Sequence, residues 1–160
     1  MTGAEHAAAS AAGTAGHAAA AGVDSKLVQT IEHLLVGSPV ARTLGIGLVA
    51  LARDRAVLGL PFSPGNVTLG DTVHGGVIAA LIDVAGVAAA ASWVDSKRLR
   101  GGATARLAIS YLAPAQGVGL RAEAVVVRRG TRQVVADVTV LADDANGTLV
   151  AKALVTVSLF

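Results

Sequence analysis

The spacing of apolar residues changes period along this chain, and the changes mark its elements. Leu27, Val28, Ile31, Leu34 and Leu35 fall on one side of a helix. Asp24 is placed to cap its start, and Gly37-Ser38-Pro39 stops it near Val36. A second short apolar segment follows. Residues 45–52 and 55–62 read as two strands joined at Arg53-Asp54, the second ended by Pro61 and Pro64. A loop of Gly, Asn and Thr leads into a helix expected over Gly75–Ala91, after which Gly101-Gly102 punctuates the chain. Four β-rich segments close the sequence: 103–112, 119–129, 131–142 and 148–159. In the first of these Leu107, Ile109 and Tyr111 share one side, and Arg106, Ala108 and Ser110 the other. Arg129-Gly130 and Asn146-Gly147 are hairpin signals. No internal repeat is present.

The order is helix, two strands, one long apolar helix, four strands. This implies an α+β fold in which an antiparallel sheet must cover its inner face with the helix at 75–91. From Val77 to Ala91 every residue of that helix is apolar or glycine except Asp83. A helix apolar on all sides is enclosed by protein on nearly every side. A sheet curled round one flank, with a second subunit on the other, meets that demand. The run falls short of the roughly 20 apolar residues needed to span a bilayer, so no membrane association is expected. Residues 1–22 are dominated by Ala and Gly and lack the basic start and apolar centre of a secretory signal. They read as a mobile tail with His6 and His17 in solvent, before a single domain over 23–160, and the expected location is cytoplasmic.

Composition narrows the chemistry. The 160 residues contain no cysteine, which removes disulfides, thiolate nucleophiles and Cys-based metal sites. The net charge of +2 is too small to argue for nucleic acid. With Phe62, Trp93, Tyr111 and Phe160 as the only aromatics, a base-stacking platform is not expected either.

Two features remain that carry chemistry. A buried, unpaired carboxylate costs several kcal/mol or shifts its pKa upward, so Asp83 must be explained. It is either a structural residue accepting hydrogen bonds from backbone or from an arginine such as Arg106, or a desolvated base or nucleophile facing an apolar ligand. His74-Gly75-Gly76 opens the same helix, where backbone N–H groups lack helical partners and the dipole favours negative charge. Two glycines would leave those N–H groups open to a carbonyl oxygen, an oxyanion hole. Close packing of a glycine-rich helix start explains them equally well, and His74 taken alone reads as a cap. Gly75 and Asp83 are eight residues apart, roughly 12 Å along a helix axis. If both belong to one active site, the carboxylate must come from a second chain, and a two-fold dimer would create two such sites.

The pieces Ser38-Pro39…Leu44-Gly45-Ile46, Val73-His74-Gly75-Gly76 followed by Asp83, Thr104, and Ile109-Ser110-Tyr111-Leu112-Ala113-Pro114-Ala115 together resemble the hot-dog fold thioesterases, in particular the PaaI-like acyl-CoA thioesterases of the 4-hydroxybenzoyl-CoA thioesterase superfamily. The similarity covers roughly residues 25–160. It implies a hot-dog fold and hydrolysis of an acyl-CoA to free acid and CoA. It assigns the Gly75 N–H to the thioester oxygen, Asp83 to water activation or direct attack, and Thr104 to placing the water. His74 and Gly76 come with the motif. The family often has an Asn six residues before the His. Here that position is Thr68, so either a rearranged loop brings Asn66 to the site or the role is absent. Asp71, where the family often has Gly, is expected to orient His74 or contact the helix start. No metal or cofactor is implied, coenzyme A being part of the substrate. Arg128, Arg129 and Arg132, with Lys97, Arg98 and Arg100, are candidates for the CoA phosphates or are ordinary solvated loop charge. The implied assembly is a homodimer or a dimer of dimers. A non-catalytic acyl-CoA binding or sensing protein stays open as an alternative. So does a hot-dog hydratase using Asp71 and His74 as an acid–base pair.

Overall fold

Helix α3 spans Gly75–Ala91, the bounds the sequence predicts, and the rest of the chain is arranged round it. The computed structural model describes residues 19–94 and 101–160. In chain order the elements are β1 (Ala19–Ala21), α1 (Ser25–Thr30) running on into a π-helical segment (Ile31–Val36), α2 (Pro39–Leu44), β2 (Gly47–Ala52), β3 (Arg55–Leu60), β4 (Val67–Leu69), β5 (Thr72–Val73), α3, β6 (Gly102–Tyr111), β7 (Leu120–Arg129), β8 (Gln133–Ala142) and β9 (Leu149–Leu159). One sheet has the order β1-β2-β3-β7-β8-β9-β6, with β4 and β5 forming a separate hairpin. Only the β1–β2 pairing in the large sheet is parallel; the other six strands run antiparallel.

The alternating strands turn one face onto α3. Leu58, Ala122, Ala124, Val134, Val138, Val140, Val155 and Val157 are buried on that face, against Leu81, Ile82, Ala85, Ala88 and Ala89 of the helix. This is the hot-dog arrangement, a sheet wrapped round a central helix. Small residues set how deep the helix sits. A Cβ built on Gly86 would lie 2.7 Å from Cβ of Val155, so the backbone of α3 touches the β9 side chain directly.

The helix C-terminus is tied to the β2–β3 turn. The Asp54 N–H donates to Ser92 Oγ at 2.8 Å, and the Ser92 hydroxyl donates to the Ala89 carbonyl at 2.8 Å. The Arg53 guanidinium stacks 3.9 Å from the centre of the Trp93 ring. The Ser92 hydroxyl thereby pairs one of the last carbonyls of the helix, which the helix cannot pair by itself.

The structure departs from the sequence reading at three places. The first helix changes to π geometry from Ile31, and the Gly37 N–H bonds to the Glu32 carbonyl at 2.7 Å across the wider turn. Gly37 permits this closure, because a Cβ there would lie 2.4 Å from the His33 carbonyl oxygen. Ala19–Ala21, expected within the N-terminal tail, pair with Ala50–Ala52 as an edge strand, and the rest of that tail, residues 1–18, lies outside the described residues. The loop before α3 contains the β4–β5 hairpin, turning at Gly70 (φ 57°) and Asp71.

The β8–β9 turn closes on Asp144. Its carboxylate accepts the Thr148 hydroxyl at 2.8 Å and the Thr148 and Asn146 N–H groups at 3.1 and 3.0 Å. The Thr148 hydroxyl, then the backbone N–H groups, hold its carboxyl below the usual carboxylate range. A lowered folded-state pKa stabilises above the unfolded value and stops doing so as pH falls through the folded value. Asp144→Ala should therefore lower Tm at neutral pH, with the difference from the parent shrinking below about pH 4. A difference that persists undiminished in acid would mean the turn is held by something other than the ionised carboxylate.

Gly86→Ala gives a sharper test of the packing. Helix propensity alone predicts stabilisation by about 1 kcal/mol. The contact with Val155 predicts destabilisation by roughly 1–3 kcal/mol through overpacking, read by chemical denaturation. Combining it with Val155→Ala should recover part of that loss beyond additivity.

Candidate active site

The motif pieces that lie apart in sequence converge on the first turn of α3. The Asn66 side-chain amide donates to the Leu44 carbonyl at 2.9 Å, tying the loop before β4 to the end of α2. The Asn66 carbonyl accepts the His74 N–H at 2.8 Å, and the Val73 N–H donates to the Ala115 carbonyl at 2.9 Å. The Tyr111 hydroxyl donates to the Gly75 carbonyl at 2.9 Å. A turn of chain that would otherwise be a loose loop is thus held from three directions.

These contacts show how the eight-residue gap from Asn66 to His74 is spanned. The β4–β5 hairpin folds the extra residues outward and places buried Asn66 beside His74, while Thr68 stands on the hairpin. Its amide N–H is committed to Leu44, so Asn66 fixes the loop that precedes the helix. Asp71 does not orient His74. It sits exposed at the hairpin turn, and its carbonyl accepts the Gly117 N–H at 3.0 Å.

The helix start separates two neighbouring N–H groups. His74 is the N-cap, and its Nδ1 accepts the Gly76 N–H at 2.8 Å. That removes Gly76 as a free donor and gives His74 a capping role. Gly76 must lack a side chain for this cap, because a Cβ would lie 2.9 Å from His74 Nδ1. The Gly75 N–H, in contrast, meets no acceptor among the described residues. Gly75 lines an open pocket of about 390 Å³ with Thr68, Ile78, Tyr111 and Pro114.

Asp83 lies two turns further along α3. The Thr104 hydroxyl on β6 donates to its Oδ1 at 2.5 Å. Asp83 is half-buried within the protomer rather than enclosed, and so is Thr104. Arg106 is not its partner: in register it pairs with Thr156 on the outer side of the sheet, whereas Thr104 pairs with Val157 on the inner side. Asp83 belongs to a stripe of α3 left open by its own sheet. Exposed Gly76 and half-buried Ala80, Asp83, Val84 and Val87 follow helical spacing along it. Beside the stripe, β6 is the sheet edge, and its inward-facing Leu107 and Tyr111 are 36% and 52% exposed.

The three arginines of the β7–β8 turn separate into two roles. Arg128 and Arg132 are exposed and line an open groove of about 580 Å³ with Gln133, Ser158 and Phe160. Arg129 is committed elsewhere. Its guanidinium binds Asp54 Oδ1 at 2.5 and 2.9 Å and the Ala90 carbonyl at 3.0 Å, closing the end of α3. It is therefore a helix-end clamp and not a free phosphate ligand, a role invisible without knowing that Asp54 and Ala90 lie together. Lys97, Arg98 and Arg100 lie outside the described residues. No three His, Asp or Glu side chains converge as a metal site among the described residues.

The chain is similar to known proteins of one superfamily. A family model described as the Thioesterase superfamily matches residues 70–148. The chain is 32% identical over 127 residues to the inferred esterase SSO1253 of Saccharolobus solfataricus, covering 79% of this chain and 81% of that protein. Among solved structures it superposes on a thioesterase family protein from Silicibacter pomeroyi with a TM-score of 0.77 at 24% identity, over 84% of this chain and 98% of that one. It also superposes on the E. coli PaaI protein of the phenylacetic acid degradation operon with a TM-score of 0.72 at 21% identity, over 84% and 94% of the respective chains.

Arg129→Met tests the division among the arginines. It strands a helix-end carbonyl and the Asp54 carboxylate, and should cost about 1–2 kcal/mol in unfolding free energy, partial exposure reducing the loss. A phosphate ligand would instead leave denaturation unchanged and raise KM for a phosphate-bearing substrate.

Proposed function

The chain belongs to the thioesterase superfamily and is a thioester hydrolase, and we propose that its substrate is an acyl-CoA, cleaved at sites shared between two copies of the chain. The observation that carries this reading is the separation of two groups on one helix. The unpaired Gly75 N–H and the Thr104-bonded Asp83 are eight residues apart, about 12 Å on an unbroken helix. Neither can serve a thioester held by the other within one protomer. An antiparallel α3 from a second copy, laid on the open stripe with the β6 edges together, would bring Asp83 of the partner subunit to the pocket at Gly75. The apolar inward face of β6 supports such a partner.

In this arrangement the Gly75 N–H receives the thioester oxygen, aided by the helix dipole, and stabilises the negative charge that grows on it. The Asp83 carboxylate takes the proton of a water as its oxygen adds to the carbonyl carbon, or adds directly to form an anhydride that water then opens. In either route the C–S bond breaks as the tetrahedral intermediate collapses and expels the CoA thiolate, which takes the proton held on Asp83 in the water route and a proton from solvent in the anhydride route. Thr104 supports either route. By donating to Oδ1 it fixes the carboxylate, and its lone pairs remain free to accept from the water. The groove at Arg128 and Arg132 offers a place for the phosphates of CoA.

An acyl-CoA panel assayed for free thiol is the direct test. Asp83→Asn should lower kcat on the best substrate at least roughly a hundredfold, with the fold retained. Sharing is tested by complementation between inactive Asp83→Ala and inactive Gly75→Pro, which deletes the N–H at a helix position that tolerates proline. Refolded together, about half the dimers are mixed and each carries one intact site, so activity should return to roughly a quarter of the parent level. Mixed dimers that are verified by native mass spectrometry yet inactive would refute the shared site.

A further inference from the structure

Strand β6 touches both ends of the eight-residue gap on α3. Its Thr104 hydroxyl donates to Asp83, and its Tyr111 hydroxyl donates to the Gly75 carbonyl at 2.9 Å. Thr104 and Tyr111 are seven residues apart, and a regular strand turns residues an odd number apart to opposite faces. β6 is not regular. Thr104 pairs with Val157 and Arg106 with Thr156, so Ala105 is an extra residue, a bulge that returns Thr104 to the face carrying Leu107 and Tyr111. The same strand thereby aims two donors at α3. At Gly75 the tie has a specific place. The His74 carbonyl, on the peptide that carries the Gly75 N–H, accepts the Val77 and Ile78 N–H groups at 2.9 and 3.1 Å. On the next peptide His74 Nδ1 holds the Gly76 N–H, and Tyr111 holds the Gly75 oxygen. Of these partners only Tyr111 comes from another element. Its ring also lies against Gly75, where a Cβ would be 3.6 Å from Tyr111 Cζ, and both line the pocket into which the unpaired N–H opens.

We propose that Tyr111 is a positioning residue for thioester hydrolysis, holding the Gly75–Gly76 peptide so that the Gly75 N–H keeps its aim, a reading that rests on the function and the shared site proposed above. Two successive glycines have the greatest backbone freedom of any pair, and they stand in the turn of the helix where N–H groups lack helical partners. An oxyanion donor is effective when it is already oriented, so a tie from outside the turn does what the helix start cannot do for itself. The tie acts within one chain. Tyr111 steadies the Gly75 of its own protomer, which would serve the site completed by the carboxylate of the partner. Thr104 on the same strand steadies the Asp83 that would react in the other site. Each β6 strand thus supports one half of each of two sites. Tyr111 is 52% exposed in the protomer and stands on the sheet edge that a second copy would cover. Covering that edge would exclude the water that competes for its hydroxyl.

Tyr111→Phe keeps the ring and removes the hydroxyl. On the best acyl-CoA it should lower kcat about tenfold, less than the loss of an oxyanion donor outright, with KM changed less than about twofold. Unchanged kcat, or a rise in KM alone, refutes the positioning role. Placement in mixed dimers separates that role from a general loosening of the fold. When Asp83→Ala and Gly75→Pro chains are refolded together, the intact site takes its Gly75 from the Asp83→Ala chain. Tyr111→Phe added to that chain should lower the recovered activity about tenfold, and added to the Gly75→Pro chain it should leave that activity within about twofold. Equal losses from the two placements refute the role. Amide exchange in glycine-labelled protein, followed by NMR, gives a readout without turnover. Tyr111→Phe should speed exchange of the Gly76 N–H at least about fivefold and leave Gly86, in the helix interior, as in the parent. Unchanged exchange at Gly76 refutes the tie whatever the activity. If the parent cleaves no thioester while Gly76 exchange rises in the variant, the tie stands and the hydrolytic reading falls. If the Tyr111→Phe homodimer loses kcat and Gly76 protection while verified mixed dimers of the parent pair are inactive, Tyr111 keeps its role and the shared site falls.

Discussion

The close seating of α3 against the sheet is the contact on which the rest of the molecule depends. Gly86 lets the helix backbone meet Val155, and Ala85, Ala88 and Ala89 keep the surrounding contacts short. A helix seated this closely is covered by its own strands on one flank. It also fixes both ends of the helix: the C-terminus reaches the Asp54 turn and the Arg129 guanidinium, and the N-terminus reaches Tyr111 and the β4–β5 hairpin. With both ends held, the positions of Gly75 and Asp83 along the axis are fixed as well.

The first turn shows how a backbone donor is kept available. Four N–H groups at a helix start lack internal partners, and most helices satisfy one with a side-chain cap. His74 does so for Gly76 and leaves Gly75 free. The surrounding hydrogen bonds, from Asn66, Ala115 and Tyr111, immobilise the turn without occupying that donor. An oxyanion site needs this combination, because a donor that must reorganise during the reaction loses much of its electrostatic benefit.

The carboxylate obeys a different constraint. Asp83 is tolerated on an apolar helix because its stripe is the one the sheet leaves open, and because Thr104 supplies a donor. The same stripe is bordered by an unpaired strand edge with partly exposed leucine and tyrosine, a surface that calls for a partner. Self-association, if it covers that stripe, changes the solvation of Asp83 and the completeness of the site together. Such coupling would keep separated protomers from hydrolysing thioesters.

Hydrophobic period alone determined the principal elements. The alternating runs became β2, β3 and β6–β9, and the apolar run became α3 with its expected bounds, because period and turn residues are local properties. The HGG…D spacing likewise placed an open helix start and a carboxylate two turns apart by arithmetic on the helix rise. What the tertiary structure decided were matters of which distant groups meet. Arg129 looked like its neighbours in the turn until folding set it between Asp54 and Ala90. Asn66 appeared two residues out of place until the β4–β5 hairpin absorbed the difference. His74 became a cap, Asp71 a turn residue, and Asp83 half-open rather than buried, since burial is a property of what packs alongside. The π turn at the end of the first helix was equally unreadable, because it follows from how Gly37 closes that helix and not from a periodic pattern. Local sequence encodes period and caps; long-range contacts assign each polar group its partner.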